Sequence, residues 1–189
     1  LPGISRPAIC TLFPSHQGRC YMLDLGANLD CSPAQLNQFA VLGSLTTTEL
    51  DGISQPRVRL LNVGQEVSKG NGVIKKTADL LEADPLVNFC GYVEGDGLFD
   101  GDAQVVVCDG FSGNVALKAT EGAARMVSGM VADMFRGSWL NRLVAWLLRG
   151  PMDALKSDLD PARYNGAYLL GLNGVVVKSH GGADAIAFG

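Results

Sequence analysis

Four short stretches hold most of the residues that could do chemistry. They are Asp24-Leu25-Gly26-Ala27-Asn28, NVGQEVSKGNG from Asn62, CDGFSGN from Cys108, and KSHGG from Lys178. Each comes directly after a short apolar run. Glycine-rich turns that lead into helices expose backbone N–H groups beside the positive end of a helix dipole, which suits them to anions, phosphate above all. Lys69, Lys118 and Lys178 can add charge. Taken singly, such a loop reads equally as turn chemistry that lets the chain reverse. Asp24 and Asp109 read either as site residues or as caps of the following helices, and Glu66 as a solvated carboxylate. His180, beside Gly181 and Gly182, is read as a site residue; the alternative is a loop side chain satisfied by backbone carbonyls.

Several other chemistries lack a motif. No strand is followed by GxGxxG and no GxxxxGK[ST] occurs, so neither a dinucleotide nor a P-loop reading has support. The GxSxG elbow is absent as well, since GFSGN around Ser112 has its glycine one residue too close. Cys108, closing the run VVVC, reads as a small buried hydrophobe rather than a nucleophile. The cysteines Cys10, Cys20, Cys31, Cys90 and Cys108 are odd in number and unpaired in spacing, which predicts reduced thiols in a cytoplasmic protein. With His16 and His180 the only histidines, no metal site and no cofactor is expected.

The elements that must position these loops are βα units. CYMLD (Cys20 to Asp24) reads as a buried strand. Ser32 and Pro33 then cap a helix that runs to about Leu50. RVRLLNV is a second strand, followed by a helix from Gly72 to about Glu82. LVNFCGY and AQVVVCD are the third and fourth strands, the valine run suiting a strand covered on both faces. A long helical pattern extends from near Asn114 to about Phe135. Beyond it lie a turn around Asn173 and Gly174 and a strand Val175 to Lys178. In an open parallel sheet all four loops would leave at the carboxyl edge and meet in one crevice.

The 189 residues carry a net charge of −4, with 47% hydrophobic and 18% charged residues. That length predicts a single α/β domain over 1–189, and the charge argues against a nucleic-acid partner. No apolar run reaches the roughly 18 to 20 residues that span a bilayer. The chain opens LPGISRPAIC without an initiator methionine, so it reads as a piece of a longer protein.

Five stretches, LPGISRPAI, LDLGANLDCSPAQLNQFAVLGS, LLNVGQEVSKGN, VEGDGLFDGDAQVVVCDGFSGNVALKATEG and YNGAYLLGLNGVVVKSHGGADAIAF, closely resemble the bacterial PlsX family of phosphate acyltransferases. The resemblance covers essentially the whole chain, though the family's N-terminal region is missing from it. It implies a three-layer α/β/α sandwich with a mainly parallel, Rossmann-like sheet. It also implies a homodimer, transfer of a fatty acyl group from acyl carrier protein to inorganic phosphate, and a downstream glycerol-phosphate acyltransferase in the membrane that uses the acyl phosphate. On this reading Lys69, Asn71, Asp109, Asn114, Lys178 and His180 form the catalytic set. Asn71 and Asn114 orient oxygens, Lys69 or Lys178 supplies charge, and His180 protonates the departing thiolate. Gly26, Asn28, Gly70, Gly110, Gly113 and Gly181 belong to the phosphate-binding loops. Two other functions stay open: a non-catalytic fragment that binds acyl carrier protein or a membrane partner, and a short-chain transferase that uses coenzyme A thioesters.

One stretch needs a separate account. In GSWLNRLVAWLLRGP, Gly137 to Pro151, the residues Trp139, Leu140, Leu143, Val144, Trp146, Leu147 and Leu148 cover an arc of roughly 200° on a helical wheel. Tryptophan and arginine beside leucine suit a bilayer interface, so residues 136–160 are read as a protruding amphipathic tip that binds the membrane peripherally; the alternative is a dimer seam. Arg125, Arg136, Arg142 and Arg149 are candidate contacts for the acidic acyl carrier protein, with ordinary solvated helix surface as the alternative.

Overall fold

Seven strands hydrogen-bond into one mixed sheet in a computed structural model that describes residues 3–13, 15, 18–135, 146–150 and 166–178. The strands are β1 (Ala8–Phe13), β2 (Cys20–Leu23), β3 (Arg57–Leu61), β4 (Asn88–Val93), β5 (Val105–Val107), β6 (Ala167–Leu170) and β7 (Val177–Lys178), in the spatial order β4-β3-β5-β2-β1-β6-β7. The helices are α1 (Pro33–Asp51), α2 (Gly72–Ala83) and α3 (Gly110–Met134). The expected α/β fold is present, and its parallel part is β4-β3-β5-β2. β1 and β6 add an antiparallel part that the reading of the sequence did not include.

The chain divides into two compact units. The first is Leu1–Ala116 with Gly166–Ser179, and the second is Leu117–Asn165 with His180–Gly189. The first holds the whole sheet. Its core is formed by alternate residues of the central strands, Tyr21, Leu23, Val58, Leu60, Val105 and Val107, against Leu36, Phe39 and Ala40 of α1. Gly43 lets α1 settle on the sheet, because a Cβ there would stand 2.6 Å from Val105 Cγ1 and 2.9 Å from Leu23 Cδ1. Only a residue without a side chain allows that approach.

Caps set where the helices begin. Ser32 and Gln35 form a reciprocal capping box ahead of α1, with Pro33 at its first turn, and Gly52 in the left-handed region ends it. The long third helix starts four residues earlier than expected. Asp109 is its cap, its Oδ1 accepting from Ser112 N at 2.7 Å and its Oδ2 from the Ser112 hydroxyl at 3.1 Å. Gly110 and Gly113 are poor helix formers, which obscured this first turn in the sequence.

Among the described residues no helix is long and apolar enough to cross a membrane. Trp146 and Leu147 are 63% and 66% exposed. Trp139, Leu140, Leu143 and Val144 lie outside the described residues, as do Arg136 and Arg142.

Candidate active site

Strands β2, β5 and β3 are neighbours and run parallel, so the loops that follow them leave the same edge of the sheet. Of the fourth expected loop only Lys178 is among the described residues. β7 is antiparallel to β6, which is antiparallel to β1, which is antiparallel to β2. β7 therefore runs against β2, and its last residue, Lys178, pairs with Ala167 at the beginning of β6. Lys178 also lies three strands away from β2. Three of the four expected loops leave one edge of the sheet. His180 and Gly181 lie outside the described residues.

Asp24 organises the loop after β2. Its carboxylate is fully buried and accepts five hydrogen bonds. Oδ1 takes Ile9 N at 2.8 Å, Leu25 N at 2.7 Å and Ala27 N at 3.2 Å. Oδ2 takes Asn28 N at 2.6 Å and Asn28 Nδ2 at 2.9 Å. These five donors fill the acceptor positions of the carboxylate and tie β1, the loop and Asn28 together. Neither the cap nor the site residue the sequence suggested, Asp24 is the structural centre of the loop.

Asn28 links this centre to its neighbours. Its Nδ2 also donates to Pro7 O at 2.8 Å, and its carbonyl accepts Gly110 N at 2.7 Å, the first residue of α3. Gly110 and Gly113 permit the contact. A Cβ on Gly110 would lie 2.6 Å from Asn28 O, and one on Gly113 would overlap the Asp24 carbonyl oxygen. Their N–H groups already have protein acceptors, Asn28 O and Asp109 O. These two glycines are therefore close-packing positions, with N–H groups already engaged inside the protein.

Asn114, one turn into α3, is exposed, and its amide lies against Gly26. At φ 119° that glycine would bring a Cβ to 2.9 Å from Asn114 Nδ2. In the loop after β3, the missed residue is Asn62. It is buried, its Nδ2 donates to Gly64 O at 3.0 Å, and a Cβ on Gly70 would meet its Oδ1 at 2.5 Å. Asparagine directly after a buried strand and before a glycine loop was the available signal. Lys69 is exposed, with its stem packed over Gly64. Asn71 caps α2, its Oδ1 accepting from Val73 N at 2.9 Å and Ile74 N at 3.0 Å. That carbonyl is already engaged, so only the Asn71 amide nitrogen could face a ligand.

The two thiols beside these loops, Cys31 and Cys108, are poor nucleophiles. Burial raises the Cys108 pKa well above its ordinary value, with Asp109, Asp24 and Cys31 adding to the effect, and its Sγ donates to Asp24 O at 3.3 Å. Burial also pushes Cys31 up to about 11; the Gly110 N–H and the Arg6 charge pull it down, and Asp24 and Asp109 push it up. All five cysteines are free. In the second unit, Lys118 Nζ sits 3.1 and 2.9 Å from the two oxygens of the largely buried Glu121, and Arg125 lies 3.7 Å from the same carboxylate. Lys118 and Arg125 thus share a neutralising partner.

A model of the family described as "Fatty acid synthesis protein" matches residues 1–189. A protein of Alcanivorax borkumensis named "Phosphate acyltransferase" is 51% identical over 188 residues, covering 100% of this chain and 56% of its own length. Its namesake in Pseudomonas aeruginosa is 54% identical, with the same coverage of each chain. The chain thus spans about half the length of the curated relatives it matches. Among solved structures, a EutD phosphotransacetylase from Staphylococcus aureus aligns with a TM-score of 0.52 and 18% identity over 65% of this chain and 44% of that one. A phosphotransacetylase from Streptococcus pyogenes gives 0.50 and 21%, over 66% and 44%. At this identity the likeness is one of fold.

Proposed function

The chain belongs to the fatty acid synthesis protein family, and from that premise we propose that it supplies part of the active site of a phosphate acyltransferase. The reaction is transfer of a fatty acyl group from the thioester of acyl carrier protein to inorganic phosphate. A phosphate oxygen attacks the thioester carbonyl, a tetrahedral oxyanion forms, the C–S bond breaks, and the thiolate leaves and takes up a proton. The products are acyl phosphate and free carrier protein. Phosphate is already a nucleophile and a thiolate leaves readily, so positioning and charge are what the protein must provide.

The observation that carries this reading is the exposed Asn114 amide, held against Gly26 by the buried Asp24 loop, at the edge that also presents Lys69. Asn114 donates to the oxyanion or to a phosphate oxygen, and Lys69 balances the developing charge. His180 provides the proton for the thiolate. The names of the relatives support the acyl-transfer chemistry; the carrier-protein donor and the acyl phosphate product are our reading. In the full-length protein, Lys69→Ala and Asn114→Ala should each reduce acyl phosphate formation by about 100-fold, the scale of losing one preorganised donor. Unchanged rates in both would refute the placement, and exclusive use of short-chain coenzyme A thioesters would refute the donor.

The same reading makes the protein a cytoplasmic homodimer that meets the membrane through Trp139 to Leu147 and passes its product to a membrane glycerol-phosphate acyltransferase. The exposure of Trp146 and Leu147 supports it. Flotation with anionic vesicles should fall on Leu143→Glu with Leu147→Glu, and equal flotation would favour helix packing instead.

A further inference from the structure

Phosphate carries close to two negative charges, and the N–H groups of Gly110 and Gly113, which would have been its backbone cradle, are already bonded to Asn28 and Asp109. Side-chain cations can supply the charge that these two N–H groups do not. Lys69 is one, and a second is reached through the strand that the sequence pattern missed. Because β1 is antiparallel to β2, its beginning lies at the edge where β2 ends. The residue pair that leads into it is Arg6-Pro7.

The backbone on both sides of Arg6 is fastened. Gln38 of α1 donates to Gly3 O at 2.9 Å and accepts from Ser5 N at 3.0 Å and the Ser5 hydroxyl at 2.8 Å. Pro7 O accepts from Asn28 Nδ2 at 2.8 Å, and Ile9 N donates to Asp24. Gly171, at the end of β6, packs over the segment so closely that a Cβ would stand 2.9 Å from Ile4 Cγ2 and 3.4 Å from Pro7 Cα. Proline also confines the residue before it to extended conformations. A long cationic side chain has little use for so rigid a base unless its head is to be placed.

Arg6 is exposed, and among the described residues it forms no ion pair. One hydrogen bond separates its neighbour Pro7 from Asn28, and a second separates Asn28 from the first residue of α3. The Arg6 charge is felt at Cys31, whose thiol bonds to that same Asn28 carbonyl. We infer that Arg6 is a phosphate-binding residue of this site, its guanidinium gripping two oxygens of the phosphate that Asn114 and Lys69 also face. The planar fork of arginine suits that contact and the ammonium of lysine does not reproduce it.

This inference rests on the acyl-transfer reading for its kinetics but not for its binding test. In the full-length protein, Arg6→Gln should raise the KM for phosphate about tenfold or more, leaving the KM for acyl carrier protein thioester unchanged, and Arg6→Lys should recover only part of the loss. Independently of turnover, inorganic phosphate should raise the thermal midpoint of the wild type and do so much less for Arg6→Gln. Because the side chain is exposed, both variants should show the wild-type circular dichroism. A wild type that binds phosphate through Arg6 but transfers no acyl group would sink the proposed reaction and leave this inference standing. Equal phosphate responses in wild type and Arg6→Gln, no phosphate response in either, or a change confined to the carrier-protein KM would overturn it.

Discussion

At the scale of single residues, the site depends most on a carboxylate that does no chemistry. Asp24 is enclosed by donors, so its removal should act on folding before it acts on any reaction. Asp24→Asn keeps the shape, but it turns an NH2 group towards N–H groups that need an acceptor. Hydrogen bonds to a charged group contribute about 1.5–3 kcal/mol each, and a buried donor left unpaired costs about 1–3 kcal/mol. We expect Asp24→Asn to lose at least ~3 kcal/mol in urea unfolding with an unchanged m-value, and a loss below ~1 kcal/mol would mean the loop has another anchor. The sequence drew attention to Asp24 and Asn28 through their place between a buried strand and a glycine. It could not disclose their function, because Ile9 N of β1 and Pro7 O just before it, which complete it, lie 15 and 21 residues away. Arg6 stayed hidden for the same reason.

At the scale of elements, the pattern of alternating strand and helix was legible from Cys20 to about Met134, because these elements carry their own start signals. Ser32-Pro33 and Asn71 are caps as well as loop residues, and the valine run of β5 is buried along its length. β1 and β6 were not legible. AICTLF and AYLL are short and lack alternation, and they are strands because they pair with β2 and with each other. Pairing is a tertiary fact that local pattern does not record. The consequence for chemistry is that a cap and a ligand-binding residue can look alike. Asn71 tests the difference. Asn71→Asp preserves an acceptor for Val73 N and Ile74 N and adds favourable charge at a helix N-terminus, whereas Asn71→Ala removes the cap at a cost of about 1 kcal/mol. If capping is its main duty, Asn71→Asp should keep the wild-type unfolding midpoint and phosphate KM. A marked rise in phosphate KM for Asn71→Asp at wild-type stability would instead place Asn71 beside the anion.

For the molecule as a whole, β1 and β2 are the seam that joins the parallel and antiparallel parts of the sheet, and they are filled with groups that must stay neutral. Burial pushes the Cys20 thiol from its ordinary 9.0 up to about 12. Burial, and then the Asp51 charge, push Tyr21 from 10.0 up to about 12, although Arg19 pulls it back. Cys10 is raised too, chiefly by burial and then by Cys20. A raised pKa in an acid means the folded state holds its proton more tightly than the unfolded chain does. The stability this contributes is complete below the ordinary values and is lost as pH rises from there through about 12. The urea midpoint of the sheet should therefore stay level to about pH 9 and fall steadily above it, well before arginine loses charge. Tyr21→Phe should flatten the alkaline decline, and Cys20→Ala should flatten it from a lower pH. A midpoint that stays level to about pH 12 would mean that these groups ionise without opening the seam.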